Sequence, residues 1–81
     1  MTNINNSLPD SAPHVGQKFR HYKGDHYEVV LLALHANDEW VVVYKPLYEN
    51  AVASYFSRPL HEWNERVEWE GQLMKRFTHI D

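Results

Sequence analysis

Four side chains in this 81-residue sequence carry the chemistry of anion and ring recognition: Arg20, Tyr22, Tyr44 and Arg58, with His21 and His35 on or beside the same segments. A guanidinium presents a planar fork of N–H donors that matches a carboxylate or phosphate and also lies over aromatic faces. Tyrosine supplies the π surface and a hydroxyl. Gathered on one face, these residues make a shallow ligand-binding site. Whether they gather depends on register, because a slip of one residue sends every side chain of a strand to the opposite face. The competing reading is that each arginine simply covers a tyrosine ring as surface packing.

Six histidines are a rich supply, yet their spacing gives no metal site. His21 and His26 flank a turn, and His61-Glu62-Trp63-Asn64-Glu65 has glutamate where a zinc-protease helix carries its second histidine. No metal and no cofactor are expected. His21, followed by Tyr22 at a strand end, reads as a half-buried imidazole bonded to backbone. Neutral imidazole at His35 or His21 has the chemistry of a general base. Its partner is missing, since Ser54 and Ser57 fall in a segment read as strand and no nucleophile elbow is present. The expected protein is a non-enzymatic binding module, with a small histidine-dependent hydrolase as the enzyme alternative.

Composition narrows the field further. A chain that is 43% hydrophobic and 14% aromatic is a single small domain. Ordering costs about 1.5 kcal/mol per residue, so a domain this short needs an aromatic-rich core. Three Trp, five Tyr and three Phe supply one. The absence of cysteine excludes a disulfide scaffold, a cysteine-ligated zinc module and thiol catalysis. A net charge of −3 argues against a general nucleic-acid or membrane binder. The acidic excess sits toward the end: Arg66, Lys75 and Arg76 face Glu62, Glu65, Glu68, Glu70 and Asp81, while residues 17–58 sum to zero. No apolar run reaches the roughly 18 residues of a membrane span, and no basic, apolar leader opens the chain, so a cytoplasmic location is expected.

The elements that must position these residues are short strands. Residues 1–14, rich in Asn, Ser and Pro, read as a disordered tail, and residues 15–81 as the domain. Gln17 to Tyr22 alternates with the period of a strand, placing Phe19 and His21 on one side and Lys18, Arg20 and Tyr22 on the other. Lys23-Gly24-Asp25 makes a turn. His26 to Ala36 is apolar on both faces, which a long strand bent across two sheets explains. Turn residues at 36–39 lead into the β-branched strand Trp40 to Lys45. Ala53 to Ser57 reads as a fourth strand, and Pro59 opens a helical turn through about Asn64. Val67 to Trp69 and Leu73 to Ile80 flank Glu70-Gly71 as a closing hairpin. The expected fold is all-β: a small antiparallel SH3-like barrel of five to six strands with one short helical turn, with an oligonucleotide-binding-type barrel as the rival. Trp40, Trp63 and Trp69 are candidates to fill it, at least two of them as core.

Phe19-Arg20-His21-Tyr22-Lys23-Gly24, Tyr27-Glu28-Val29, His35, Val42-Val43-Tyr44, Leu47-Tyr48, Arg58-Pro59-Leu60 and Arg76-Phe77 together carry a resemblance. The ordered set resembles a bacterial family of small SH3-like domains of unknown function with the pattern R-H-Y-K-G, Y-E-V, V-V-Y, L-Y and R-P. The likeness spans Gly16 to Ile80. The chain departs from it at Ala36-Asn37-Asp38, where members carry Ser-Glu-Thr, and at Tyr55 or Phe56, where Trp is common. The resemblance implies the barrel and no established activity.

Partners follow from the same residues. Arg20, His21, Tyr22, His35, Tyr44 and Arg58 are the expected ligand-binding set, for a small anionic ligand or an unknown protein. Tyr22, Tyr44, Tyr48, Tyr55 and Trp63 would line a groove for an extended or Pro-rich peptide. Single-stranded nucleic acid, held by a patch of Arg20, Lys23, Lys45 and Arg58, is the alternative. Lys18, Lys45 and Pro46 read as edge protection, giving a monomer or a weak homodimer.

Overall fold

The computed structural model describes residues 8–50 and 52–81. Strand β1 (Lys18–His21) buries Phe19 and exposes Lys18 and Arg20, as its alternation requires. A turn at Gly24, with φ of 112°, leads to β2 (His26–Leu34), and the Val-rich β3 (Trp40–Pro46) follows. Between them Asp38 takes a φ of 68°, and the Asn37 side-chain oxygen accepts the Glu39 backbone N–H at 3.0 Å. Strand β4 (Phe56–Pro59) runs directly into the one-turn helix α1 (Leu60–Trp63), with Pro59 at its N-cap position. Strands β5 (Arg66–Trp69) and β6 (Gln72–Lys75) are joined by Glu70 and Gly71 at φ of 52° and 82°, both left-handed as a type I′ turn requires. Strand β7 (Phe77–His79) ends the order.

These elements form a five-stranded antiparallel sheet in the order β4-β3-β2-β1-β7 and a two-stranded β5-β6 sheet. The all-β antiparallel class with one short helical turn is therefore what the chain adopts, with seven strands rather than five or six. The additional strand arises at Arg76. Leu73 to Ile80, expected to be continuous, breaks there because the Arg76 N–H donates to the Glu65 carbonyl while its own carbonyl accepts the Tyr22 N–H. The portion before the break stays with β5, and the portion after it pairs with β1 through Phe19↔His79 and His21↔Phe77. Among the described residues no ladder joins β4 to β7.

The two apolar faces of β2 have a local cause. Its register with β3 jumps between Val29 and Leu31. Before the bulge Tyr27 and Val29 face inward; after it Leu32, opposite Val42, takes the inward position, so the apolar pattern changes phase. Core packing centres on Val29 and Val42, 1% and 0% exposed, with Phe19, Tyr44, Leu60, Trp63 and Phe77 around them. Trp63 lies flat on Phe77, ring centroids 3.8 Å apart, and meets Phe19 and Tyr44 edge-on at 5.2 and 5.1 Å. Trp40 packs against this cluster, whereas Trp69 is 37% exposed.

Three features differ from the sequence expectation, the first being the fourth strand, which runs Phe56–Pro59 rather than Ala53 to Ser57. The segment before residue 15 is not all tail: Ala12 and Pro13 are buried, the Ala12 N–H donates to the Pro9 carbonyl at 3.0 Å, and the His14 N–H donates to Gln17 Oε1 at 2.8 Å. A small side chain and a proline need little area to seat themselves against rings already in place. Residues 1–7 of the expected tail lie outside the described residues. The edges also differ. Strands β1 and β3 are interior, so Lys18, Lys45 and Pro46 do not guard a free margin, which falls to β4 and β7.

Candidate binding face

The register decides which of the expected residues meet. Arg58 stands opposite Val42 and Phe56 opposite Tyr44, which puts Arg58 on the inward side of the sheet. Arg20 stands opposite His26 and Thr78, between the inward-facing Phe19 and His21, and so points to the other side. The two arginines therefore do not converge; β2 and β3 also separate their strands. His35 sits in the β2–β3 turn, its Nδ1 bonded to Asn37 at 3.1 Å, away from the rest. Tyr44 is buried in the core and lines no groove, and the buried Trp63 stands apart from the exposed Tyr48 and Tyr55, so the expected aromatic groove does not form.

Three of the expected residues, His21, Tyr22 and Arg58, are brought together. The rings of His21 and Tyr22 lie 4.3 Å apart, Tyr22 meets Trp69 edge-on at 5.4 Å, and Lys23 Nζ stands 5.8 and 5.7 Å from those last two rings. On the other flank His21 packs on Phe77 at 5.2 Å, and the Arg58 guanidinium lies 5.8 Å from the same ring. The result is a row of four rings with a cation at each end: Lys23, Trp69, Tyr22, His21, Phe77, Arg58. Trp69 and Phe77 were not among the expected site residues, and Lys23 was expected only in the basic patch of the nucleic-acid reading. No local signal marks Trp69, because the β5–β6 hairpin delivers it to Tyr22 only once Arg76 is tied to both Glu65 and Tyr22.

Two polar groups in the row are unusual. His21 Nδ1 accepts the Lys23 backbone N–H at 3.2 Å, which assigns the proton of the neutral ring to Nε2. Burial lowers the His21 pKa below its ordinary value, and the positive charges of Arg58, Arg76 and Lys23 lower it further against the opposing Asp25. Arg58, with its side chain 27% exposed, has a buried Nε that meets no acceptor among the described residues. Its Nη1 reaches Glu62 only at 3.4 Å. Arg76, by contrast, is engaged: Nε donates to the Glu62 carbonyl at 3.0 Å and Nη2 to Glu65 at 2.9 Å. Behind the row, burial raises the Tyr27 pKa, as does its hydrogen bond to Tyr48.

The His21 shift has a testable sign. A histidine whose folded pKa lies below the unfolded value of 6.5 binds fewer protons when folded, so its contribution is intact above 6.5 and is lost as pH falls toward the folded pKa. The urea midpoint is expected to drop from about pH 7.5 to about pH 5.5 by more in the native protein than in His21→Gln. Equal drops would show that His21 carries none of the pH dependence.

Among the described residues no group of three or more His, Asp or Glu side chains is placed to hold a metal ion, and no helix is long and apolar enough to cross a membrane. The geometry defines a small antiparallel β domain with a cation–aromatic row that runs from the exposed Lys23 and Trp69 inward to the buried Phe77 and half-buried Arg58. Over residues 17–79 the chain matches the family described as a protein of unknown function, DUF1653, and it belongs to that family. It is similar to a DUF1653 protein from Bordetella bronchiseptica, at 41% identity, whose crystal structure superposes with a TM-score of 0.74 over 83% of this chain and 86% of that one. No curated protein matches.

Proposed function

We propose that this domain, an open form of the SH3-like barrel, is a binding module for an extended peptide carrying acidic side chains. The observation that carries the reading is Arg58. A buried donor without an acceptor costs about 1–3 kcal/mol, and native domains keep few of them. Such a departure from local consistency is expected where a residue serves function rather than stability. Its guanidinium end remains open to solvent, at one end of a row whose other end is Lys23.

The form of the row favours a peptide over a small molecule. Of its members only Phe77 lines the cavity beside residues 11–13, and none lines the groove between Lys45 and Tyr55, so its outer part, Lys23, Trp69 and Tyr22, offers a face rather than an enclosure. Extended peptides bind such surfaces, with prolines and apolar side chains on the rings and charged ones at the cations. The acidic α1–β5 region restricts a polyanion: Glu65 neutralises Arg76, and Glu62 and Glu65 stand beside the row where a continuous phosphate backbone would have to pass.

The test compares acetyl-Glu-Pro-Pro-Glu-amide with its neutral analogue acetyl-Gln-Pro-Pro-Gln-amide by calorimetry or NMR titration. The acidic peptide is expected to bind with Kd on the order of 1 mM and the neutral one at least about tenfold more weakly. Equal affinities would remove the role of the cations. Tighter, steeply salt-dependent binding of an oligouridylate would replace the peptide reading with the nucleic-acid one.

A further inference from the structure

A concavity lies beside the inner end of the row, against Phe77. Residues Ser11, Ala12 and Pro13 close over a cavity of about 230 Å³ whose floor is formed by Phe19, Trp63 and Phe77, with Gln17, Asn64, Lys75 and His79 at its rim. The segment that roofs it is held by the Ala12–Pro9 and His14–Gln17 bonds already described. Three observations define what would fit.

The first is size. An apolar cavity of about 150 Å³ takes a benzene molecule, and drug-sized ligands occupy about 300–1,000 Å³. A volume of about 230 Å³ thus suits one ring with one polar substituent. The second is charge. No acidic side chain lines the cavity, whereas Lys75 does, and Lys75 makes no ion pair among the described residues. The third is the balance of donors. Gln17 commits its carbonyl oxygen to the His14 N–H, which leaves its amide N–H groups to donate. The side chains of Asn64 and His79 make no hydrogen bond among the described residues, and each carries an N–H. Ring floor, single cation and surplus donors are complementary to an aromatic acid.

We propose that this cavity binds a small aromatic monocarboxylate, with its ring against Phe19, Trp63 and Phe77 and its carboxylate toward Lys75. The site shares the Phe77 ring with the Lys23–Arg58 row but no cation, so the two readings are told apart by which charge, Lys75 or Arg58, each ligand needs.

Benzoate is the probe, titrated into the full chain and followed by amide and side-chain NMR, with benzyl alcohol as the uncharged control. The expected result is saturable shifts at Ser11, Ala12, Asn64 and His79 with Kd on the order of 1 mM, at least about tenfold weaker for benzyl alcohol. Lys75→Met, at an exposed position, is expected to weaken benzoate about tenfold and leave the spectrum of the free domain folded, while Arg58→Met leaves benzoate binding unchanged. The absence of saturable shifts to about 10 mM, equal binding of benzyl alcohol, or undiminished benzoate binding by folded Lys75→Met would each overturn the proposal.

Discussion

Trp63→Ala is expected to lower the stability of the domain by about 3–5 kcal/mol, enough to leave much of the chain unfolded. The magnitude follows from position. Trp63 is 3% exposed, stacks on Phe77 and meets Phe19 and Tyr44 edge-on, so its removal takes away the ring that joins α1 to β1, β3 and β7. A domain of 81 residues holds only about 4–12 kcal/mol in total at typical stability per residue. Urea unfolding followed by far-UV circular dichroism gives the number. A loss below about 1 kcal/mol would mean that the cavity collapses and that the aromatic stack is not the keystone of the core.

Arg58→Met is expected to abolish binding of the acidic peptide while leaving the fold as stable as before or slightly more so. Methionine keeps an unbranched stem over Phe77 opposite Val42, and it removes a buried Nε that has no acceptor. The ion pair to Glu62 is long and partly exposed, so its loss costs little, at most about 1 kcal/mol. Binding should fall by at least about tenfold, because the cation at one end of the row is gone. The informative outcome is the pair of results together. Unfolding of Arg58→Met would make Arg58 structural, whereas a stable variant that still binds would place the acidic contact elsewhere.

Much of the fold was legible because it rests on local chemistry. The Val-rich β3, the Pro59-initiated turn of helix and the Glu70-Gly71 reversal each have a short-range cause that the residues declare. The break at Arg76 was not legible, since it depends on hydrogen bonds to Glu65 and Tyr22, both distant in sequence. The same dependence hid half of the candidate site. His21, Tyr22 and Arg58 were named from their chemistry, but only pairing shows that Arg20 faces away and that Trp69 arrives in its stead. Tyr44 illustrates the remaining ambiguity: an aromatic between Val43 and Lys45 reads equally as ligand platform or core, and its position opposite Val29 makes it core. The order of the strands, the break at Arg76 and the place of β4, expected at 53–57 and found at Phe56–Pro59, were the missing information.

The central claim is that the row from Lys23 to Arg58 receives acidic groups, and residue-resolved NMR during titration with acetyl-Glu-Pro-Pro-Glu-amide tests it most directly. The predicted result is saturable shifts confined to His21, Tyr22, Lys23, Arg58 and the Trp69 indole, with the His21 ring pKa moving upward as a carboxylate offsets the positive charges around it. Shifts centred on Arg20 and His35 instead, or an unmoved His21 titration at saturation, would contradict it.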